Sequence, residues 1–176
     1  MKVKYSDLKN KRVFITGGGS GIGASIVEHF CEQTSEVYFI DIDIKASNKL
    51  INNIKKKKLK VPKFIECNIL DIKKLQNIIK DIIYKKGPIH CLINSAANDD
   101  RHTTEQVDEK YWENRMGINL KHYFFAAQAV VKGMKKIKSG SIVNLSSVSW
   151  ILGEGDKVVY ETAKSAVVGL TRSFAQ

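Results

Sequence analysis

No apolar stretch in these 176 residues approaches the roughly 20 needed to cross a bilayer, which excludes a membrane-spanning helix. The opening residues, Met1 to Asp7, carry lysines but no apolar core of a leader peptide, so a cytoplasmic protein is expected. Cysteine is sparse: Cys31, Cys67 and Cys91 are odd in number, far apart and without a CxxC pair, and read as reduced, buried thiols. His29, His90, His102 and His122 are equally dispersed, with no HExxH spacing, so no metal is expected. Arginine is scarce too. Arg12, Arg101, Arg115 and Arg172 are the four present, so the formal charge of +11 is almost all lysine. No aromatic residue interleaves with Lys55 to Lys58 and Lys60, and planar forks and stacking rings are what a nucleic-acid reader needs. That run reads as a solvated helix end, with no specific nucleic-acid partner and at most weak adhesion to polyanions at low salt.

What is present suits one globular domain over residues 1–176, with 43% apolar and 27% charged residues and no repeat or low-complexity linker. Arg12 to Thr16 reads as a buried strand, and Gly21 to about Gln33 as a helix with Ile22, Ile26, Val27 and Phe30 inward. Glu36 to Asp41 is a second strand, and Ile44 to about Lys58 a polar helix. Lys63 to Cys67 is a third strand, before a helix that Asp71 caps. A fourth strand over "IHCLINSAA", a long helical stretch from Gln106 to Lys136, a fifth strand over "GSIVNLSS" and a helix from Val159 to Gln176 complete the order. Short apolar strands alternating with helices imply right-handed βαβ units, hence an α/β doubly wound parallel sheet of Rossmann-like, three-layer type.

Five glycines crowd "TGGGSGIG", Thr16 to Gly23, at the first strand-to-helix turn. Such turns receive phosphate, because the free N–H groups and the dipole of the helix both favour an anion. The spacing is G-x-x-x-G-x-G rather than G-x-G-x-x-G, and the Gly-Lys-Ser/Thr ending of an ATP-binding loop is absent. A tight turn packing helix on strand is the structural alternative. Asp41, ending the second strand, stands where a carboxylate can accept hydrogen bonds from an adenosine ribose and would repel a 2′-phosphate. NAD is therefore expected over NADP. Asp43 is near enough to share that role, and Asp41 alternatively caps the next turn.

"YETAK" puts Tyr160 and Lys164 on one helical face. A fixed ammonium beside a phenol, with the positive ring of an oxidised nicotinamide, favours phenolate and so turns a poor base into a usable one. Ser147 lies at the carboxyl end of the fifth strand, where open α/β sheets place ligands, and its hydroxyl can orient a substrate while Tyr160 moves the proton. Asn119, out of place by propensity inside a helix, is a candidate to anchor a relay water near Lys164.

At these residues the chain resembles the short-chain dehydrogenase/reductase family over essentially its whole length. Thr16 to Gly23 looks like the family's cofactor loop, Asn94-Ser-Ala-Ala97 like its Asn-Asn-Ala-Gly motif, and Asn119, Ser147, Tyr160 and Lys164 like its catalytic tetrad. The resemblance implies cofactor contacts from Gly17, Gly19, Ser20, Gly21, Ile22, Gly23, Asp41, Asn68, Ile69, Asn94 and Ala96, together with Tyr160 and Lys164. It also implies Tyr160 as general base, Ser147 as substrate-orienting group, Lys164 on the nicotinamide ribose and Asn119 in the relay. Asn68 replaces the family's usual adenine-contacting aspartate, and Ser95 and Ala97 replace an asparagine and a glycine.

"NDDRH" from Asn98, "YWENR" from Tyr111, "QAVVKGMK" from Gln128 and "SWILG" from Ser149 are similar to the bacterial D-xylose 1-dehydrogenase group and related aldose dehydrogenases. That narrower resemblance implies oxidation of an anomeric hydroxyl to a lactone, with Asn98, Ser149 and Trp150 near Ser147 holding the sugar. A capped surface loop at Asn98 to His102 and a gap-filling Trp150 are the structural alternatives, and Trp112 and Arg115 are read as structural. Another alcohol or ketone, such as a sugar alcohol or a 3-oxoacyl group, and a non-catalytic nucleotide-binding domain remain the rival functions. The last helix reaches Gln176 with no glycine or proline stop, and family members continue past it, so the chain is expected to be part of a longer protein. In the family, the long helix around Asn119 and the helix after Tyr160 pack against their mates, implying a homodimer or homotetramer.

Overall fold

The computed structural model of the protein describes residues 3–176. In chain order it contains β1 (Arg12–Thr16), α1 (Gly21–Glu32), β2 (Glu36–Asp41), α2 (Ile44–Lys56), β3 (Lys63–Glu66), α3 (Ile72–Lys86) and β4 (Cys91–Asn94). Then follow α4 (Glu109–Met116), α5 (His122–Lys136), β5 (Ser141–Asn144), α6 (Ser149–Leu152) and α7 (Val158–Phe174). The strands are parallel in the order β3-β2-β1-β4-β5. From β1 the chain winds outward to β3, then crosses to β4 and winds the other way. The order reverses between β1 and β4, and a crevice must open there at the carboxyl ends of the strands.

Alternation along the strands builds the layers. Phe14, Tyr38, Ile40 and Leu92 point to the face covered by α3 and α5, where Leu75, Ile79, Ala126 and Val130 meet them. Val13, Ile15, Val37, Phe39 and Ile93 point to the opposite face, packed by Val27 and Cys31 of α1 and Ile54 of α2. Strands buried on both faces read as continuous apolar runs, which is why β1 and β2 are so plain in the sequence. Aspartates set where three helices begin: Asp43, Asp71 and Asp108 accept the backbone N–H groups of Ala46, Lys74 and Tyr111. Burial pushes the Cys31 thiol up to about 12, with Glu28 adding to it, and the Cys91 thiol up to about 11, so both stay protonated.

Four local expectations are corrected. β4 ends at Asn94 and β5 at Asn144, because the residues beyond them turn away to line the crevice. The helical stretch starts at Glu109 rather than Gln106, and one π-helical turn at Gly117–Lys121 divides it into α4 and α5. Ile22 is 68% exposed, because the first turn of α1 stands over the crevice rather than the core. Cys91 is half-buried, not buried.

Two features tie the sheet to the crevice. Gly17 has φ +68°, and a Cβ on Gly23 would lie 1.9 Å from the Gly17 carbonyl oxygen, so the loop closes on itself only with glycine there. The Thr16 hydroxyl accepts the N–H groups of Ser95 and Ala96, joining β1 to the loop after β4. The same hydroxyl lies 3.4 Å from His122 Nε2, to which it donates its own proton. Burial drives the His122 imidazole down to about 3, with the carbonyls of Ile118 and Gly117 opposing the shift.

Gly23→Ala is expected to cost about 2–3 kcal/mol of stability through overpacking, read by urea unfolding, and to weaken dinucleotide binding, read by titration. For His122, the unfolded imidazole takes up a proton near its ordinary value of 6.5, whereas the folded one holds out to about 3. Stability is therefore whole above pH 6.5 and falls on acidification through that window, by up to about 1.4 kcal/mol per pH unit. Thermal melts from pH 7 to pH 4 should show this slope, and His122→Gln should flatten it.

Candidate active site

At the reversal point lies a cavity of about 630 Å³, bounded by the carboxyl ends of β1, β2 and β4 and by α7. One wall is the glycine loop: Gly17, Ser20, Gly21, Ile22 and Gly23 all line it. Ser20 precedes α1 and makes no side-chain cap, so the first N–H groups of the helix face an anion site. Gly19 stands just behind. Its N–H donates to Asp41 Oδ2 at 2.8 Å, while Asp41 Oδ1 accepts the Asp43 N–H at 2.9 Å. Asp41 thus caps the turn and also lines the cavity. Asp43 reaches the rim, but its carboxylate is engaged at the start of α2. Asn68 and Ile69 line the next stretch, with Asn68 Oδ1 accepting the Leu70 N–H. This glycine cradle beside a fixed carboxylate fits a dinucleotide on both counts.

Tyr160 and Lys164, on α7, belong to another part of the lining. Lys164 is 1% exposed, and its ammonium donates to the Tyr123 hydroxyl at 2.9 Å and the Leu145 carbonyl at 2.7 Å. Nζ stands 5.5 Å from the centre of the Tyr160 ring. Burial brings Lys164 down to about 8, a shift that the nearby Asp99 carboxylate opposes. Burial also raises the Tyr123 phenol, which therefore serves Lys164 as a neutral acceptor. Ser146 Oγ donates to the Lys164 carbonyl and lines the cavity as well.

Other sequence-named residues sit one step back. Asn94 is buried under the loop after β4, its amide donating to Asn144 Oδ1, while Ala96 comes forward to the cavity. Asn119 lies in the π-helical turn, fully buried, and grips the backbone of Asn98 from both sides: Nδ2 donates to the carbonyl and Oδ1 accepts the N–H. Its side chain thus positions the Asn98 loop. Ser147 and Ser149 are 2.8 Å apart through their hydroxyls, and neither lines the cavity. Trp150 is 38% exposed on the short α6, neither filling a core gap nor forming a wall. Ile118 and Leu145 supply the apolar wall instead, and Asp99 joins Asn98 on the polar side. Asp99, Tyr123 and Ser146 belong to no short motif. Asp99 alone left a signal, as a charge within "NDDRH" next to a named residue.

Comparison with known proteins identifies the family and the fold. The D-xylose 1-dehydrogenase of Caulobacter vibrioides is 41% identical over 172 residues, covering 98% of this chain and 67% of that protein. The probable galactose dehydrogenase GalD of Rhizobium meliloti is 37% identical over the same shares. Among solved structures, the aldohexose dehydrogenase of Thermoplasma acidophilum superposes with a TM-score of 0.82 at 30% identity, covering 97% of this chain and 62% of that one. A short-chain dehydrogenase/reductase from Burkholderia xenovorans, described as putative, reaches a TM-score of 0.90 at 22% identity, over 97% of this chain and 70% of its own, which speaks for the fold. The family model for short chain dehydrogenases matches residues 11–176, and the chain belongs to that family of oxidoreductases acting on CH–OH groups.

Proposed function

We propose that this chain forms the cofactor-binding and proton-transfer portion of an NAD-dependent aldose dehydrogenase, which oxidises the anomeric hydroxyl of a D-xylose-like pyranose to a lactone. The observation that carries this is the Tyr160–Lys164 pair, with its ammonium buried and hydrogen-bonded, lining the same cavity as the glycine cradle and Asp41. The N–H groups of the glycine loop hold the pyrophosphate, and Asp41 accepts from the adenosine ribose. NAD, when bound, supplies the hydride acceptor. Tyr160 takes the hydroxyl proton, and Lys164 favours its phenolate and holds the nicotinamide ribose. Ser147, its hydroxyl hydrogen-bonded to that of Ser149 beyond β5, is assigned to orient the substrate through the family resemblance.

A sugar needs several hydrogen-bonding groups beside an apolar wall. Asn98 and Asp99, lining the same cavity as Ile118 and Leu145, meet that need, and the sugar-dehydrogenase names of the relatives support it. The chain covers 67% of those relatives' length, so the activity is assigned to the protein that carries it. A groove between α5 and α7, lined by Leu120, Phe124, Phe125, Ala166 and Leu170 together with Lys121, supports assembly as a homodimer or homotetramer.

The protein is expected to reduce NAD in the presence of D-xylose, L-arabinose or D-galactose, followed by NADH absorbance. Failure on every sugar, with turnover of a 3-oxoacyl substrate, would move the assignment to that reductase class, which a 30% identical relative represents. Tyr160→Phe should lower kcat by about 10²-fold or more while NAD still binds; unchanged turnover would remove the catalytic reading. Asp41→Ala should reduce the preference for NAD over NADP by about tenfold, measured as the ratio of kcat/KM values.

A further inference from the structure

We infer that His102 is a positioning residue for Tyr160: its neutral imidazole caps the helix carrying Tyr160 from the loop that carries Asn98 and Asp99. The inference rests on Tyr160 being the proton-transfer residue. α7 starts without a cap of its own. Lys157, at its N-cap position, makes no side-chain cap, so the first N–H groups of the helix need acceptors from elsewhere. His102, 6% exposed, supplies one. Its Nε2 lies 3.4 Å from the backbone nitrogen of Val159, the fully buried residue directly before Tyr160.

Chemistry fixes the tautomer. Val159 presents an N–H, so Nε2 must accept and the ring proton must reside on Nδ1. Nδ1 faces the groups that this requires: the Asp100 carbonyl at 3.1 Å and the Tyr111 hydroxyl oxygen at 2.9 Å. The backbone of His102 reinforces the contact, its N–H donating to the Asp156 carbonyl at 2.7 Å, three residues before Val159. Arg101 pairs with Asp156 alongside.

The ring is itself held from α4. Tyr111 packs edge-on against it with centroids 4.9 Å apart. Arg115 lies over the Tyr111 ring and donates to Asp100 at 2.6 Å. Two of the four segments that carry the narrower resemblance, "NDDRH" and "YWENR", thus converge on one imidazole. Tyr111 and Arg115 hold His102, and His102 holds the N-terminus of α7. Because Asn98 and Asp99 line the cavity, the clamp also couples the loop facing the substrate to the helix of the base.

The test compares three variants of the protein in its natural full length. His102→Ala removes the acceptor. His102→Gln restores an amide oxygen near the place of Nε2, and His102→Asn carries one too short to reach it. His102→Ala and His102→Asn should lower kcat by about tenfold or more, with KM for the sugar and affinity for NAD changed less than about threefold, whereas His102→Gln should recover most of kcat. Hydrogen exchange at the Val159 and Tyr160 amides should quicken about fivefold in the Ala and Asn variants and not in Gln. If His102→Ala fails to fold, the Gln and Asn pair decides. Equal kcat and equal exchange in Gln and Asn would overturn the inference and reduce His102 to packing. Should the wild type turn over no sugar or other alcohol, the functional reading falls, while the exchange pattern still decides whether His102 caps α7.

Discussion

Burial of one ammonium governs this architecture. Lys164 is almost wholly removed from water, which disfavours its charge and brings its titration down to about 8. It stays a usable cation because the fold places two acceptors on it, the Leu145 carbonyl just past β5 and the Tyr123 hydroxyl on α5. Those acceptors come from elements that meet only when β4, β5, α5 and α7 are packed together. Assembly of the sheet edge and assembly of the Lys164 environment are therefore one event.

A second constraint acts through backbone rather than charge. The loops leaving the strands at the reversal point have no sheet partner beyond Thr16 and Asn94, so their polar groups are satisfied by side chains from below. Thr16 takes two N–H groups of the loop after β4, and Asn119 takes an N–H and a carbonyl of Asn98. The π-helical turn at Gly117–Lys121 places Asn119 where it can do this. A regular helix through these residues would rotate that amide relative to the loop. The cavity walls are thus stiffened by buried polar contacts rather than by regular structure.

How far the sequence could be read depended on the range of each interaction. β1 and β2 were plain because strands covered on both faces carry unbroken apolar runs, and the cap Asp71 acts on an N–H group three residues away. The strand ends at Asn94 and Asn144 were overrun, because the small residues that follow look strand-like while the reversal of strand order leaves them nothing to pair with. Ile22 has the periodicity of a core residue, yet its turn of helix overhangs the crevice. Trp150 takes its expected role from the narrower resemblance alone, and on α6 it is 38% exposed.

Taken alone, the sequence determined the alternation of strands and helices, the glycine cradle with Asp41 beside it, and the spacing that sets Tyr160 and Lys164 on one face. All of these follow from local geometry: period, capping distance and the reach of adjacent turns. Tertiary structure decided the rest: that Asn119 answers to Asn98, that Lys164 rests on Tyr123, that Asp99 faces the cavity, and that His102 lies against Val159. These partners lie tens of residues apart, and no local preference encodes them, because it is the crossover from β3 to β4, which sets β4 beside β1, that brings their segments to the carboxyl end of the sheet.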